Sequence, residues 1–94
     1  RRFLLAGKMF AMQGGDKYNK PIITLKCEPD FGMMLREKYE HIIEGYYMNK
    51  VHWNSVYLEG DVPDDILKQM IDMSYDLIFK SLSKKAQKEI SDGN

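Results

Sequence analysis

Apolar and polar positions alternate through the first third of the chain and recur at helical spacing through the last third. Phe3–Leu5 and Lys8–Gln13 read as strands separated by a break at Ala6-Gly7, and Gly14-Gly15-Asp16 is a turn signal of the hairpin kind. Pro21–Cys27 then resumes with β-branched Ile22, Ile23 and Thr24; Pro21 can stand at a strand start. Alternation sets Ile23, Leu25 and Cys27 on one face and Ile22, Thr24 and Lys26 on the other. Glu28-Pro29-Asp30 opens a helix, with proline in its first turn and acids at the positive end of its dipole. Phe31, Met34, Leu35 and Tyr39 fall on one stripe and predict its buried face. Ile42–Tyr47 reads as a short strand interrupted at Gly45. His52–Glu59 alternates, with Asn54, Val56 and Leu58 facing one way and Trp53, Ser55 and Tyr57 the other. Gly60–Asp65 combines Pro63 with three acids and starts a helix that runs to about Lys80. Its apolar face carries Ile66, Leu67, Met70, Ile71, Ser74, Leu77 and Ile78. Ser83-Lys84-Lys85 begins a short final helix, and Ser91–Asn94 should fray. The order is strands, helix, strands, helix, which predicts an α+β fold: an antiparallel sheet with helices packed on one face.

Composition narrows the class without naming a function. The chain has 94 residues, 44% hydrophobic and 30% charged, with a mean hydropathy of −0.49, and fits one domain spanning 1–94. Fourteen basic residues balance fourteen acidic ones. That excludes a binder whose affinity comes from a net positive field, but leaves room for a locally basic face. The single cysteine, Cys27, excludes an intramolecular disulfide and any two-cysteine metal motif, and a lone thiol suits a reducing cytoplasm. The apolar runs are too short to span a membrane, and Gly7-Lys8 ends the first of them too early for a signal sequence. The expected setting is cytoplasmic, with no membrane partner.

Candidate chemistry is sparse. His41, His52 and Cys27 show no metal-ligand spacing, so no metal and no cofactor is expected. Cys27 with His52 is the one nucleophile–base combination the sequence offers, but Cys27 falls on the apolar face of a strand, where a thiol packs as a small hydrophobe. Asp64 and Asp65 are explained by the dipole of the helix they open. The methionines, notably Met34, Met70 and one of Met9 or Met12, are expected to fill gaps in the core. The most unusual stretch is Tyr46–Ser55, where two tyrosines and the sole tryptophan, Trp53, lie among Asn49, Lys50, His52 and Asn54. Stacking planes, cations and amides are the kit used against nucleic acid. The same residues also suit a structural part, with Trp53 in the core and Asn49 and Asn54 tying down a turn. Lys17 and Lys20, flanking Tyr18, form a second basic feature that a solvated loop explains equally well.

Met48–Val56, read as M-N-K-V-H-W-N-S-V, resembles the N-K-x-H-W-N-[ST]-V signature of the MmcQ/YjbR family. Gly7–Ala11, Leu25–Pro29, Gly45-Tyr46, Gly60–Asp64 and Ser74–Leu77 agree with that family in the same order, covering about residues 7 to 85. The resemblance implies a CyaY-like (frataxin-like) two-layer sandwich in a small bacterial protein, described for the family as predicted DNA-binding with a double-wing motif. It implies neither a catalytic activity nor a cofactor. Frataxin-like iron binding uses an acidic ridge, and the acids here are dispersed, so iron is not carried across. The chain departs from the family twice. The helix that normally precedes the first hairpin has no counterpart, being absent, disordered or removed, and Val51 stands where related sequences often carry a basic residue.

The leading expectation is therefore a non-enzymatic domain that binds DNA weakly and with strong salt dependence. Lys17, Lys20 and Lys50 would meet phosphates, His52 and Asn54 would make polar contacts, and Trp53 would be a stacking plane or the anchor of its segment. Two alternatives accompany it: a protein-interaction or accessory module using an exposed sheet face or edge, and a small-ligand site around His52.

Overall fold

Residues 1–93 are described by a computed structural model of the chain. Strands β1 (Arg2–Leu5), β2 (Lys8–Gly15) and β3 (Pro21–Lys26) precede helix α1 (Pro29–Lys38). Strands β4 (Ile42–Glu44) and β5 (Trp53–Tyr57) follow, then helices α2 (Asp64–Ser81) and α3 (Lys84–Asp92). The strands form one antiparallel sheet in the order β1-β2-β3-β5-β4. The expected α+β architecture, a sheet with helices packed on it, is what the chain adopts.

Proline and acidic residues start the helices where the sequence places them: Pro29 opens α1, Pro63 precedes α2 with Asp64 and Asp65 in its first turn, and the Ser83 side chain caps α3. The core lies between sheet and helices. Ala11, Leu25, Ile42 and Val56 from the strands meet Leu35 of α1 and Met70 of α2. Ser74 of α2 reaches into the sheet where β2 and β3 part. Its hydroxyl donates to Phe10 O and accepts from Lys26 N–H, so helix and sheet share one hydrogen-bonding group.

Four local expectations are corrected. Gly14 and Gly15 lie in β2, and the turn is made by the residues after them, with Asn19 at φ +64°. Met34 is half exposed, because Leu35 and partly buried Phe31 take the inward side of α1. β4 ends at Glu44, so the expected break at Gly45 holds, but Tyr46 and Tyr47 form a turn and not a continuation of the strand. α3 continues to Asp92, so Ser91 and Asp92 are helical; Asn94 lies outside the described residues.

The face of the sheet away from the core positions the site. Thr24 and Ser55 are cross-strand partners on β3 and β5, and their hydroxyls are 2.7 Å apart. Tyr46 N–H donates to Ser55 Oγ at 2.9 Å, which lays the 45–52 loop over these two hydroxyls and buries both. Small polar side chains here give the loop a hydrogen-bonding seat that aliphatic ones would deny.

Candidate functional site: two linked loops and the cleft beside them

The hairpin turn between β2 and β3 is built around Asp16. Its carboxylate accepts from Tyr18 N–H (2.8 Å), Lys20 N–H (2.9 Å) and the Tyr57 hydroxyl (2.8 Å). These donors, the Lys20 amide foremost, hold the Asp16 carboxyl below the ordinary carboxylate value, and the same bond raises the Tyr57 phenol. The turn is therefore fixed in shape while Lys17, Tyr18 and Lys20 project outward.

The second loop, 45–52, is tied down at both ends. Gly45 N–H donates to Trp53 O (2.7 Å), and the Asn49 side chain accepts from Val51 N–H (2.9 Å) and His52 N–H (3.1 Å). The two loops are joined directly, because Lys17 N–H donates to the Tyr46 hydroxyl at 2.8 Å. Each presents a ring to solvent: Tyr18 is 71% exposed and Tyr47 is 72% exposed. Tyr47 sits at φ +66° with its ring edge-on to Tyr46, the centroids 4.4 Å apart.

The structure separates the six residues singled out in the sequence. Lys17 and Lys20 are exposed on the first loop, Lys50 and His52 on the second. Among the described residues, none of the three lysines has a carboxylate within ion-pairing distance. Trp53 is 9% exposed, which makes it the anchor of its segment and not a stacking plane. Asn54 is completely buried, so the expected polar contact to a nucleic acid is corrected. Its amide donates to Gly32 O (3.1 Å) and its oxygen accepts from Arg36 Nη1 (2.7 Å), pinning α1 to β5. In the HWNS stretch, then, His52 is outward and Trp53 and Asn54 hold the fold.

The link between Cys27 and His52 is one of backbone, from Cys27 N–H to His52 O. The thiol is buried, and burial raises its pKa, which is opposite to what a nucleophile needs. Among the described residues no group of three His, Cys, Asp or Glu side chains is placed to hold a metal ion, and no helix is long and apolar enough to cross a membrane.

A cleft of about 410 Å³ opens beside the hairpin turn, between Tyr46, Tyr57 and His41, with Lys17, Lys20 and Glu59 on its rim. The His41 imidazole meets Asp61 at 2.6 Å, which holds the Asp61 carboxyl below its usual range. In the sequence His41 stands out only as a metal-ligand candidate and Asp16 only as a turn residue, while Tyr57 and Asp61 carry no functional signal. The pairs Asp16–Tyr57 and His41–Asp61 lie 41 and 20 positions apart, and only strand register joins them. The one signal near at hand was an aspartate at a hairpin turn, the residue type that binds nearby backbone amides.

The YjbR family model matches residues 1–77. Escherichia coli O157:H7 YbdF is 34% identical over 91 residues, which is 97% of this chain and 74% of YbdF. YjbR of Escherichia coli K12 is 31% identical over 70 residues, 74% of this chain and 59% of YjbR, so the chain spans well under two thirds of that relative. A crystal structure of a Deinococcus radiodurans protein, with family-model domain DUF419, matches with a TM-score of 0.79 at 33% identity, over 96% of this chain and 66% of that one. With the family model matching most of its length and the fold shared as well, the chain belongs to the YjbR family.

Proposed function

We propose that this domain is a non-catalytic DNA-binding module of the cytoplasm that grips its ligand with the two linked loops. The observation that carries this reading is the surface they make together. Two exposed tyrosines, Tyr18 and Tyr47, stand on loops joined by the Lys17–Tyr46 hydrogen bond, with Lys17, Lys20, Lys50 and His52 exposed around them. Exposed rings next to cations that lack acidic partners serve both parts of a nucleic acid, since phosphates attract the cations and unstacked bases lie on the rings. The loops are held by internal hydrogen bonds, so little order has to be gained on binding. The buried thiol of Cys27 supports the non-catalytic part of the reading and suits a reducing compartment.

The test is fluorescence anisotropy of labelled duplex and single-stranded DNA. The triple variant Lys17→Glu, Lys20→Glu, Lys50→Glu should lose binding while keeping its thermal midpoint, because all three side chains are exposed. Tyr47→Ala should weaken single-stranded binding by roughly fivefold or more and duplex binding less, as stacking needs a free base face. Unchanged affinity in the folded triple variant would overturn the assignment.

A further inference from the structure

We propose that the cleft beside the hairpin turn takes a single nucleotide unit, its base against Tyr46 and Tyr57 and its phosphate on Lys17 and Lys20. This deepens the nucleic-acid reading and rests on it for those two lysines, but the rings and the polar groups of the cleft are its own.

Four features of the cleft point to this ligand. Its volume of about 410 Å³ lies in the range of small-molecule sites, roughly 300–1,000 Å³, and suits one nucleotide better than a peptide or a duplex. Its walls are aromatic: Tyr46, Tyr57 and the His41 ring, which stands nearly perpendicular to Tyr57 at 6.4 Å between centroids. These walls are set before any ligand arrives. Tyr57 is held by Asp16, Tyr46 by the Lys17 amide, and His41 by Asp61. His41 also packs so closely on Gly60 that a Cβ there would lie 2.6 Å from its ring.

The charges are sorted in the same sense. Asp16 lines the cleft, but its carboxylate already accepts three donors, so it opposes an incoming anion less than a bare carboxylate would. The Lys17 and Lys20 ammonium groups have no ion-pair partner among the described residues. Tyr46 Oη accepts the Lys17 amide and keeps its own proton to donate. Glu59 is the remaining carboxylate of the lining.

Titration of the ¹⁵N-labelled protein with cytidine, adenosine and uridine 5′-monophosphates, against ribose 5-phosphate and inorganic phosphate, tests the proposal. Saturable shifts at the amides of Lys17, Tyr18, Lys20 and Gly60 are expected for all three nucleotides. Tyr46→Ala should weaken binding roughly tenfold. Lys20→Gln, which leaves the backbone bonds of the turn in place, should also weaken it and decides the matter if Tyr46→Ala fails to fold. Absence of saturable shifts at roughly 10 mM nucleotide overturns the proposal. So does reproduction of the same shifts by ribose 5-phosphate or phosphate alone, which would leave a lysine pair without a base site. The Lys50→Glu variant separates this proposal from the wider one, since Lys50 lies outside the cleft. Nucleotide binding that persists while wild-type and Lys50→Glu proteins both ignore oligonucleotides would assign the cleft to a free nucleotide and overturn only the DNA reading. Binding of 5′-phosphorylated single strands that competes with the nucleotide would place a strand end there.

Discussion

Asp16 joins the turn, the sheet and the cleft through one side chain. Its three donors come from Tyr18, Lys20 and Tyr57, and they favour the ionised carboxylate. A carboxyl whose folded pKa lies below its ordinary value of 3.8 stabilises the fold above that value and loses the contribution as pH falls through the folded value. Asp16→Asn should therefore lower the thermal midpoint at neutral pH, and the gap to wild type should close as the pH is taken below about 3.8. Asp61, which is also lowered by its partner His41, is common to both proteins and cancels from that difference. A gap that is constant across pH would mean the charge of Asp16 is irrelevant to the turn. Ser74 allows a second residue-level test. Ser74→Ala leaves Phe10 O and Lys26 N–H without their shared partner in a buried seam, and should cost about 1–3 kcal/mol. At this chain length that is a fall of roughly 4–24 °C in the thermal midpoint.

Among the elements, the loop 45–52 depends on how closely Gly45 approaches β5. A Cβ on Gly45 would lie 2.6 Å from Trp53 Cβ and 2.9 Å from Trp53 O, a contact that no rotamer change relieves. Gly45→Ala should cost about 1–3 kcal/mol. It should also displace Tyr46, so the same variant is expected to bind single-stranded DNA more weakly even at temperatures where it is fully folded. Strand and helix starts were legible in the sequence because alternation and the prolines at 21, 29 and 63 act locally. So was the role of Asn49, whose side chain binds amides two and three residues on. Asn54 was not legible as a core residue. A polar residue on a predicted strand looks available, and only the packing of Gly32 and Arg36 against it shows that its amide is fully used. The cleft was hidden for the same reason, since Tyr46, Tyr57 and His41 become neighbours through the pairing of β5 with β3 and β4. Met34 shows the opposite error, where a position on the predicted stripe of α1 is left half exposed while Leu35 takes the buried place beside it.

Over the whole molecule fourteen cations cancel fourteen anions, so no long-range field gathers a polyanion from a distance. Affinity then depends on the cations that reach contact, and the salt dependence counts them. If Lys17, Lys20 and Lys50 each neutralise one phosphate of a duplex, the slope of log affinity against log salt is about −2.7. Raising salt from roughly 50 to 200 mM should then weaken duplex binding about fortyfold, and single-stranded binding about twentyfold. Lys50→Glu should make the duplex slope shallower by about 0.9 or more. A much steeper slope would bring in further cations, and Arg1 and Arg2, which line a hollow together with Tyr47, are candidates. Measurable binding with a slope near zero would mean that the contact is made by the rings and not by the phosphates. The linked loops would then be a stacking surface, and the lysines around them would serve solubility alone.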